Sequence, residues 1–322
     1  MTDGCEVDQV LLVREAEQRR RRDGAEYLRL SLGDRTGAVA AVVWDGVADC
    51  APHARAGAAV RVAGRFSLHP RYGAQVTVRA LGAAAEGSYV LDDLLDGPPR
   101  GVVQMEADLR ELLETVREPH LRALLDRVFD EGSELWARFR EAPAAKHFHQ
   151  AYRHGLLEHA LSVGQGAHLL CGGPFAQVDH DLAVTGALLH DIGKLDAYTS
   201  EPGAIDLSGA GRLQGEIPLG YFRVRRLCEE IDGFPPHLAD QVGHIILSHH
   251  GSLEHGSPVV PCTREATLVH FLDNLGGRLG SFDRLEKELA EGAAWSPFDR
   301  AIGAGAYFAA RALPAEPERE AA

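Results

Sequence analysis

Along the first 83 residues apolar and polar positions alternate, whereas from about residue 105 onward apolar residues recur every three or four positions. The first pattern belongs to half-buried strands and the second to amphipathic helices, because side chains alternate across a strand and return to one helix face about every 3.6 residues. Strands are predicted over Val7–Val13, Tyr27–Leu32, Ala38–Trp44, Ala59–Phe66 and Gln75–Arg79. Turn signals separate them at Asp23-Gly24, Asp34-Arg35-Thr36-Gly37, Asp45-Gly46 and Tyr72-Gly73. Helices are predicted over Met105–Thr115, Pro119–Phe129, Ser133–Arg140, Leu156–Leu170, Asp181–Leu189, Leu219–Ile231 and Leu238–Leu247, with another beginning at Glu265 and reaching Asp273. Asp96-Gly97-Pro98-Pro99-Arg100-Gly101 is a breaker, and the Gly- and Ser-rich residues 196–213 read as a loop. The expected class is multidomain α+β. A five-stranded barrel would occupy residues 1–85, a helical linker region 86–146, an all-α bundle 147–305 and a disordered tail 306–322.

Five short strands in about 80 residues resemble the OB-fold, a small barrel that binds oligonucleotides through one sheet face and its loops. Arg19-Arg20-Arg21-Arg22 falls at the tip of the first predicted hairpin. Four like charges repel unless something neutralises them, which suits contact with phosphates. Tyr27 and Tyr72 are candidate base-stacking platforms. Trp44 and Phe66 are expected in the barrel core instead.

Charge sharpens the division. The chain carries −14 overall, but residues 1–83 hold 12 basic and 10 acidic residues, a net of +2, leaving −16 for the remainder. That distribution fits a binding module joined to a carboxylate-rich catalytic body. Hydrophobic residues at 45% and charged residues at 25% are ordinary for a globular protein. No apolar run reaches the roughly 18 residues of a membrane span, and the N-terminus has no apolar signal segment. Five scattered cysteines without a Cys-x-x-Cys pair predict reduced thiols in a cytoplasm, with neither a disulfide framework nor a thiolate zinc site.

The candidate chemistry is concentrated in the back half. His190-Asp191 ends one predicted helix, followed by Ile192-Gly193-Lys194; His159 lies inside the preceding helix, His249-His250 closes a later one and Asp273 sits on the last. Imidazoles together with hard carboxylates suit a divalent manganese, iron, cobalt or magnesium ion better than thiolate-built zinc. Separate helices each supplying an inward ligand is how helical bundles build metal centres. Asp191 has two oxygens and could bridge two ions, while Lys194, about one turn on, could hold a phosphate oxygen. His53, His69, His168 and His237 read as structural, and His147, His149 and His154 as local structure or substrate contacts.

His159, His190-Asp191 and Asp273 resemble the H…HD…D signature of HD-domain metal-dependent phosphohydrolases. Pro143 to Tyr152, Gly155 to His159, Ile246 to Gly251, Gly256-Ser257-Pro258 and Glu265-Ala266 resemble, more narrowly, the YhaM family of 3′→5′ exoribonucleases, which also places an OB-fold before its HD domain. The resemblance spans roughly residues 5–300. It implies hydrolysis of single-stranded RNA, with single-stranded DNA as a second substrate, by metal-activated water, with one or two ions of the manganese or cobalt kind. His159, His190, Asp191 and Asp273 would hold the first ion. Asp191 would bridge to a second, held by His249 and Glu216 with His250 lining or joining the shell, and Lys194 would meet the scissile phosphate. This chain departs from the family at Gly215-Glu216, where Gly-His is usual, and at His149-Gln150, where a His pair is common. Rival readings are a nucleotide or cyclic-dinucleotide phosphohydrolase and a catalytically impaired nucleic-acid-binding protein. Oligomeric state is left open.

Overall fold

Leu28, Leu30 and Leu32 fall on alternate positions of one strand and all three are buried, so the period-two pattern builds the inner face of a sheet. A computed structural model of the protein describes residues 2–21, 23–69, 73–95, 97–146, 150–199, 205–287, 289 and 292–308. Strands β1 (Glu6–Arg20), β2 (Glu26–Asp34), β3 (Gly37–Val43), β4 (Ala59–His69) and β5 (Gly73–Ala83) close into a barrel in the order β1-β2-β3-β5-β4. Only β3 and β5 pair in parallel, and the other ladders are antiparallel. This is the five-stranded OB topology. Its core holds Val7, Leu11, Val13, Val43, Val60, Val62, Phe66, Val76 and Val78 beside the leucines of β2. A short helix, α1 (Val47–Cys50), follows β3.

Two sequence expectations change here. First, β1 continues past Val13 to Arg20, pairing with β2 as far as Arg20 opposite Glu26. Residues 15–20 are all exposed and, apart from Ala16, polar, so no apolar alternation marks them as strand. Second, Trp44 is not core: it is 38% exposed. Val43 is the last inward residue of β3, and Trp44 leaves the sheet to stack on Tyr27 with ring centroids 5.0 Å apart. Phe66 is buried as expected.

After α2 (Leu91–Leu94) the chain is helical: α3 (Val102–Glu114), α4 (Pro119–Phe129), α5 (Glu134–Glu141), α6 (Gly155–Cys171), α7 (His180–Leu189), α8 (Lys194–Ala197), α9 (Gly209–Gln214), α10 (Glu216–Glu229), α11 (Pro236–Ser248) and α12 (Arg264–Lys287). Polar caps start several of them. Glu118 accepts from Leu121 N at α4, Ser133 from Trp136 N at α5 and Asp179 from Leu182 N at α7. The apolar faces of α3–α5 join those of α6, α7, α10, α11 and α12 in one core. α6 and α7 are its centre: nearly every residue from Gly155 to Leu161 and from Leu182 to Leu189 is buried. The expected loop at 196–213 contains the end of α8 and all but the last residue of α9, helices too short to show a period. α12 runs on to Lys287 through Gly276, Gly277 and Gly280, and a hairpin of β6 (Trp295–Asp299) and β7 (Ala304–Tyr307) follows it. The disordered tail expected over 306–322 starts too early, since Ala306 and Tyr307 belong to β7; from residue 309 on it lies outside the described residues.

Asp196 pins α8 to its neighbours. Its carboxylate accepts from Arg138 of α5 at 3.0 Å and from Arg223 of α10 at 3.2 Å. Partial burial works against the charge, but the two guanidinium groups outweigh it and hold the carboxyl below its ordinary value. A lowered folded-state value means stabilisation that is present above the unfolded Asp value of about 3.9 and lost as pH falls through the folded value. Asp196→Asn is therefore expected to cost about 1–2 kcal/mol at neutral pH, read from the urea midpoint. The gap to the parent chain should close as pH falls below the carboxylate range.

Candidate metal centre

His159 projects from the second turn of α6, a helix buried nearly all round over its first two turns. His190 caps the C-terminus of α7, and Asp191 follows in the turn that leads to Lys194, the first residue of α8. That turn is squeezed against α10. A Cβ on Gly193 would lie 1.9 Å from the carbonyl oxygen of Glu216 and 2.5 Å from Gly220 N, so only glycine lets the two elements approach. His249 caps α11, and Asp273 faces inward from α12.

These segments bring their polar tips to one point. His159 Nε2 is 3.1 Å from His190 Nε2, 3.1 Å from Asp273 Oδ1 and 3.4 Å from Asp191 Oδ2. His190 Nε2 is 3.4 Å from Asp191 Oδ2 and 3.8 Å from Asp273 Oδ1. On the other side of Asp191, His249 Nε2 approaches Oδ1 to 3.6 Å. Two donor groups result: His159, His190 and Asp273, and His249, His250 and Asp273. His159, His190, Asp191 and His249 are all buried.

The histidines are oriented for ligation. Nδ1 of His190 donates to Ala187 O at 2.7 Å, Nδ1 of His249 to Ile246 O at 2.8 Å and Nδ1 of His250 to His255 O at 2.9 Å. Each ring thereby presents an Nε2 lone pair to the centre. Asp191 Oδ1 and His249 Nε2 are buried without a hydrogen-bond partner. Unsatisfied buried polar atoms are costly, and facing each other across 3.6 Å they fit a shared divalent cation. The donor set of nitrogen and oxygen, with no sulfur, suits a hard or borderline ion.

Charge compensation is local. Lys194 Nζ lies 2.5 Å from Asp191 Oδ2. Burial disfavours ionisation of Asp191, yet Lys194, His190, His249 and His159 together hold it well below the ordinary carboxylate value. Asp273 is held well below as well, burial being outweighed by His159 and His190. His190 is raised against burial by Asp191 and Asp273, and Lys194 is raised against burial by Asp191. Burial and the neighbouring His249 push His250 down.

Glu216 stands at the margin. It opens α10, its Oε1 is 3.9 Å from His250 Nε2, and it belongs to neither donor group. His154 turns away, with Nδ1 donating to Arg140 O. His147 and His149 lie outside the described residues. One positioning residue escaped the sequence reading, and a second was noted there only as part of a motif. His270 Nδ1 donates to His249 O at 2.7 Å and ties the end of α11 to α12. Gly251, at φ +83°, leaves that ring its room, since a Cβ there would lie 2.1 Å from it. The glycine in Ser248-His249-His250-Gly251 was the available signal.

At the barrel, Arg19 pairs with Glu17 and Arg20 with Glu26, so part of the arginine run is neutralised within the chain. Arg21 lies over the Trp44 ring, 4.5 Å from its centroid, and donates to Trp44 O. Arg22 and Tyr72 lie outside the described residues. Tyr27, Trp44 and Arg21 therefore form one stack in which Trp44 is exposed and the other two are half-buried.

Behind the five-stranded barrel, the helical region that holds this centre matches the HD domain family over residues 156–277. Full-length relatives make the likeness narrower. The 3′-5′ exoribonuclease YhaM of Geobacillus sp. (strain WCH70) is 29% identical over 287 residues, covering 88% of this chain and 86% of that protein. The YhaM proteins of Bacillus velezensis and Bacillus subtilis (strain 168) are each 28% identical, covering 90% of both partners. Among solved structures, the second OB-fold domain of replication protein A from Methanococcus maripaludis is 22% identical and covers 27% of this chain and 91% of that one, with a TM-score of 0.22. The resemblance to the YhaM-type exoribonuclease family thus extends over nearly the whole chain. No helix among the described residues is long and apolar enough to cross a membrane.

Manganese is expected to raise the thermal midpoint of the parent chain and to titrate calorimetrically. His159→Ala and Asp273→Ala should lose both responses. Asp191→Ala should in addition destabilise the metal-free chain by about 3–5 kcal/mol, because it strands the buried Lys194 ammonium; a metal-free midpoint equal to the parent's would contradict that pairing.

Proposed function

We propose that this chain is a metal-dependent 3′→5′ exoribonuclease of single strands, with manganese as its ion. The observation that carries the proposal is the convergence of His159, His190, Asp191 and Asp273, with two orphaned buried donor atoms beside them. His159, His190, Asp191 and Asp273 would hold one ion. Asp191 Oδ1, His249 and His250 would hold a second, with Glu216 at its edge. A divalent cation at such a site supplies a water of lowered pKa and neutralises charge on phosphate oxygens. The single-strand preference rests on the barrel, and the 3′→5′ polarity on the relatives' named activity.

The chain's own groups do the remainder. The buried carboxylates exclude competing anions until a cation offsets them. Lys194 keeps its proton and is positioned to turn from Asp191 to a phosphate oxygen. A cleft of about 1940 Å³ lies between the β1–β3 strands and the helical body; Arg14, Arg29, Arg35, Lys146 and Arg153 line it, interleaved with as many carboxylates, among them Glu15, Glu17, Asp34, Glu141 and Asp206, and with Glu158, the neighbour of His159. A strand lying there would pass the Arg14, Arg29 and Arg35 side chains of the barrel. Arg19, Arg20, Arg21 and Arg22 would meet the backbone at the hairpin tip, and Tyr27 and Tyr72 would take bases; Trp44 joins Tyr27 in that role. We place the protein in the cytoplasm, on its odd and scattered set of five cysteines.

The test is 5′-labelled single-stranded RNA and DNA incubated with the purified chain and manganese. A ladder shortening from the 3′ end is expected on RNA. Intact strands, or release of label from the 5′ end, would refute the proposal. The His190→Ala/Asp191→Ala double variant should stop cleavage and still bind the strand.

Trp44→Ala should weaken strand binding by about 1–3 kcal/mol through lost stacking. Arg21→Ala should weaken it with a shallower salt dependence. Neither change should alter manganese binding at the centre, as measured by calorimetry.

A further inference from the structure

α12 is apolar on two sides, and the metal centre uses only one of them. Its inner side carries Ala266, Val269, Asp273 and Gly276, the last placed so that a Cβ would touch His159. Phe271, Leu275, Leu279 and Phe282 fall four, four and three residues apart, which puts them on one stripe on the opposite side. A solvent-facing stripe is ordinarily polar, yet Phe271, Leu275 and Leu279 are between 52% and 65% exposed. At the end of the stripe Phe282 meets Phe308 edge-on, and Arg284 donates to Asp299 at 2.5 Å, anchoring the β6–β7 hairpin. That hairpin displays Trp295, Phe298 and Tyr307, each more than half exposed. A two-stranded sheet is marginal by itself, and this one spends three large rings on solvent.

We propose that the outer side of α12 and the β6–β7 hairpin form the contact between two copies of this chain, with α12 packed against its twofold mate. The six side chains leave roughly 700 Å² uncovered if each offers about 200 Å² when fully exposed, close to the about 800 Å² per partner of a standard interface. A straight stripe at four- and three-residue spacing is the form that lets one helix seat in the ridges of another. The same stripe on both partners satisfies a closed twofold contact. The flanking charges, Arg278 with Asp283 and Glu286, have no positive excess, so they do not favour a nucleic-acid backbone or an anionic lipid surface. Phe271, Leu275 and Leu279 do not line the cleft, whose α12 residues are Gly280, Asp283, Arg284, Glu286 and Lys287.

Sedimentation velocity on the full chain at micromolar concentration tests this. The expected species is twice the 34.8 kDa chain mass. Leu275→Glu with Leu279→Glu should give a folded monomer whose circular dichroism matches that of the parent chain, since both side chains are exposed in the single chain. Leu275→Lys with Leu279→Lys should also be monomeric, and mixing the acidic and basic variants should restore a dimer. A parent chain that stays monomeric overturns the proposal, including one that binds only strands or vesicles through this face. So does a Glu variant that still dimerises, or a mixture that stays monomeric.

Discussion

Two carboxylates and a lysine ammonium lie inside the helical body with little solvent, and the rest of the structure answers to that constraint. Removing such charges from water costs several kcal/mol each unless partners lie within hydrogen-bond reach. Here each carboxylate faces imidazoles from other helices, and Lys194 closes on Asp191. The compensation requires α6, α7, α8, α11 and α12 to meet at one point. The all-round burial of α6 and α7, the Asp196 clamp on α8, the glycine contact between the HD turn and α10, and the His270 tie between α11 and α12 all serve that convergence. Even so, Asp191 Oδ1 and His249 Nε2 remain without a hydrogen-bond partner, an arrangement that suits a shared cation.

The front barrel solves a different problem. A closed five-stranded sheet has no free edge, so its outer surface is available for recognition. At the hairpin tip, the arginine run is divided: two of its members are held by glutamates and a third lies over Trp44. The chain thereby keeps an aromatic face and a cation together. That pairing suits stacked bases and their phosphates, despite a net charge of −14.

Much of this was legible in the sequence, for identifiable reasons. Alternating leucines in β2 and the 3/4 spacing of Leu121, Leu124, Leu125 and Val128 in α4 report burial directly. His190-Asp191 is conspicuous because no packing rule asks for an imidazole and a carboxylate side by side. The gaps have equally physical causes. The second half of β1 is held by pairing to β2 without any apolar alternation. Trp44 reads as core by type, but its placement depends on where β3 stops. α12 passes through three glycines that normally suggest an end, and tertiary packing against α6 overrides them. Glu216 reaches the edge of the centre through a turn and a helix start, which spacing alone does not locate.

The central claim is that His159, His190, Asp191 and Asp273 share a divalent cation. Anomalous diffraction at the manganese edge, from crystals grown with that metal, tests it most directly. The account predicts a peak between the Nε2 atoms of His159 and His190 and the carboxylates of Asp191 and Asp273. A fully ordered centre with no peak there, or with the metal bound only elsewhere on the chain, would contradict it.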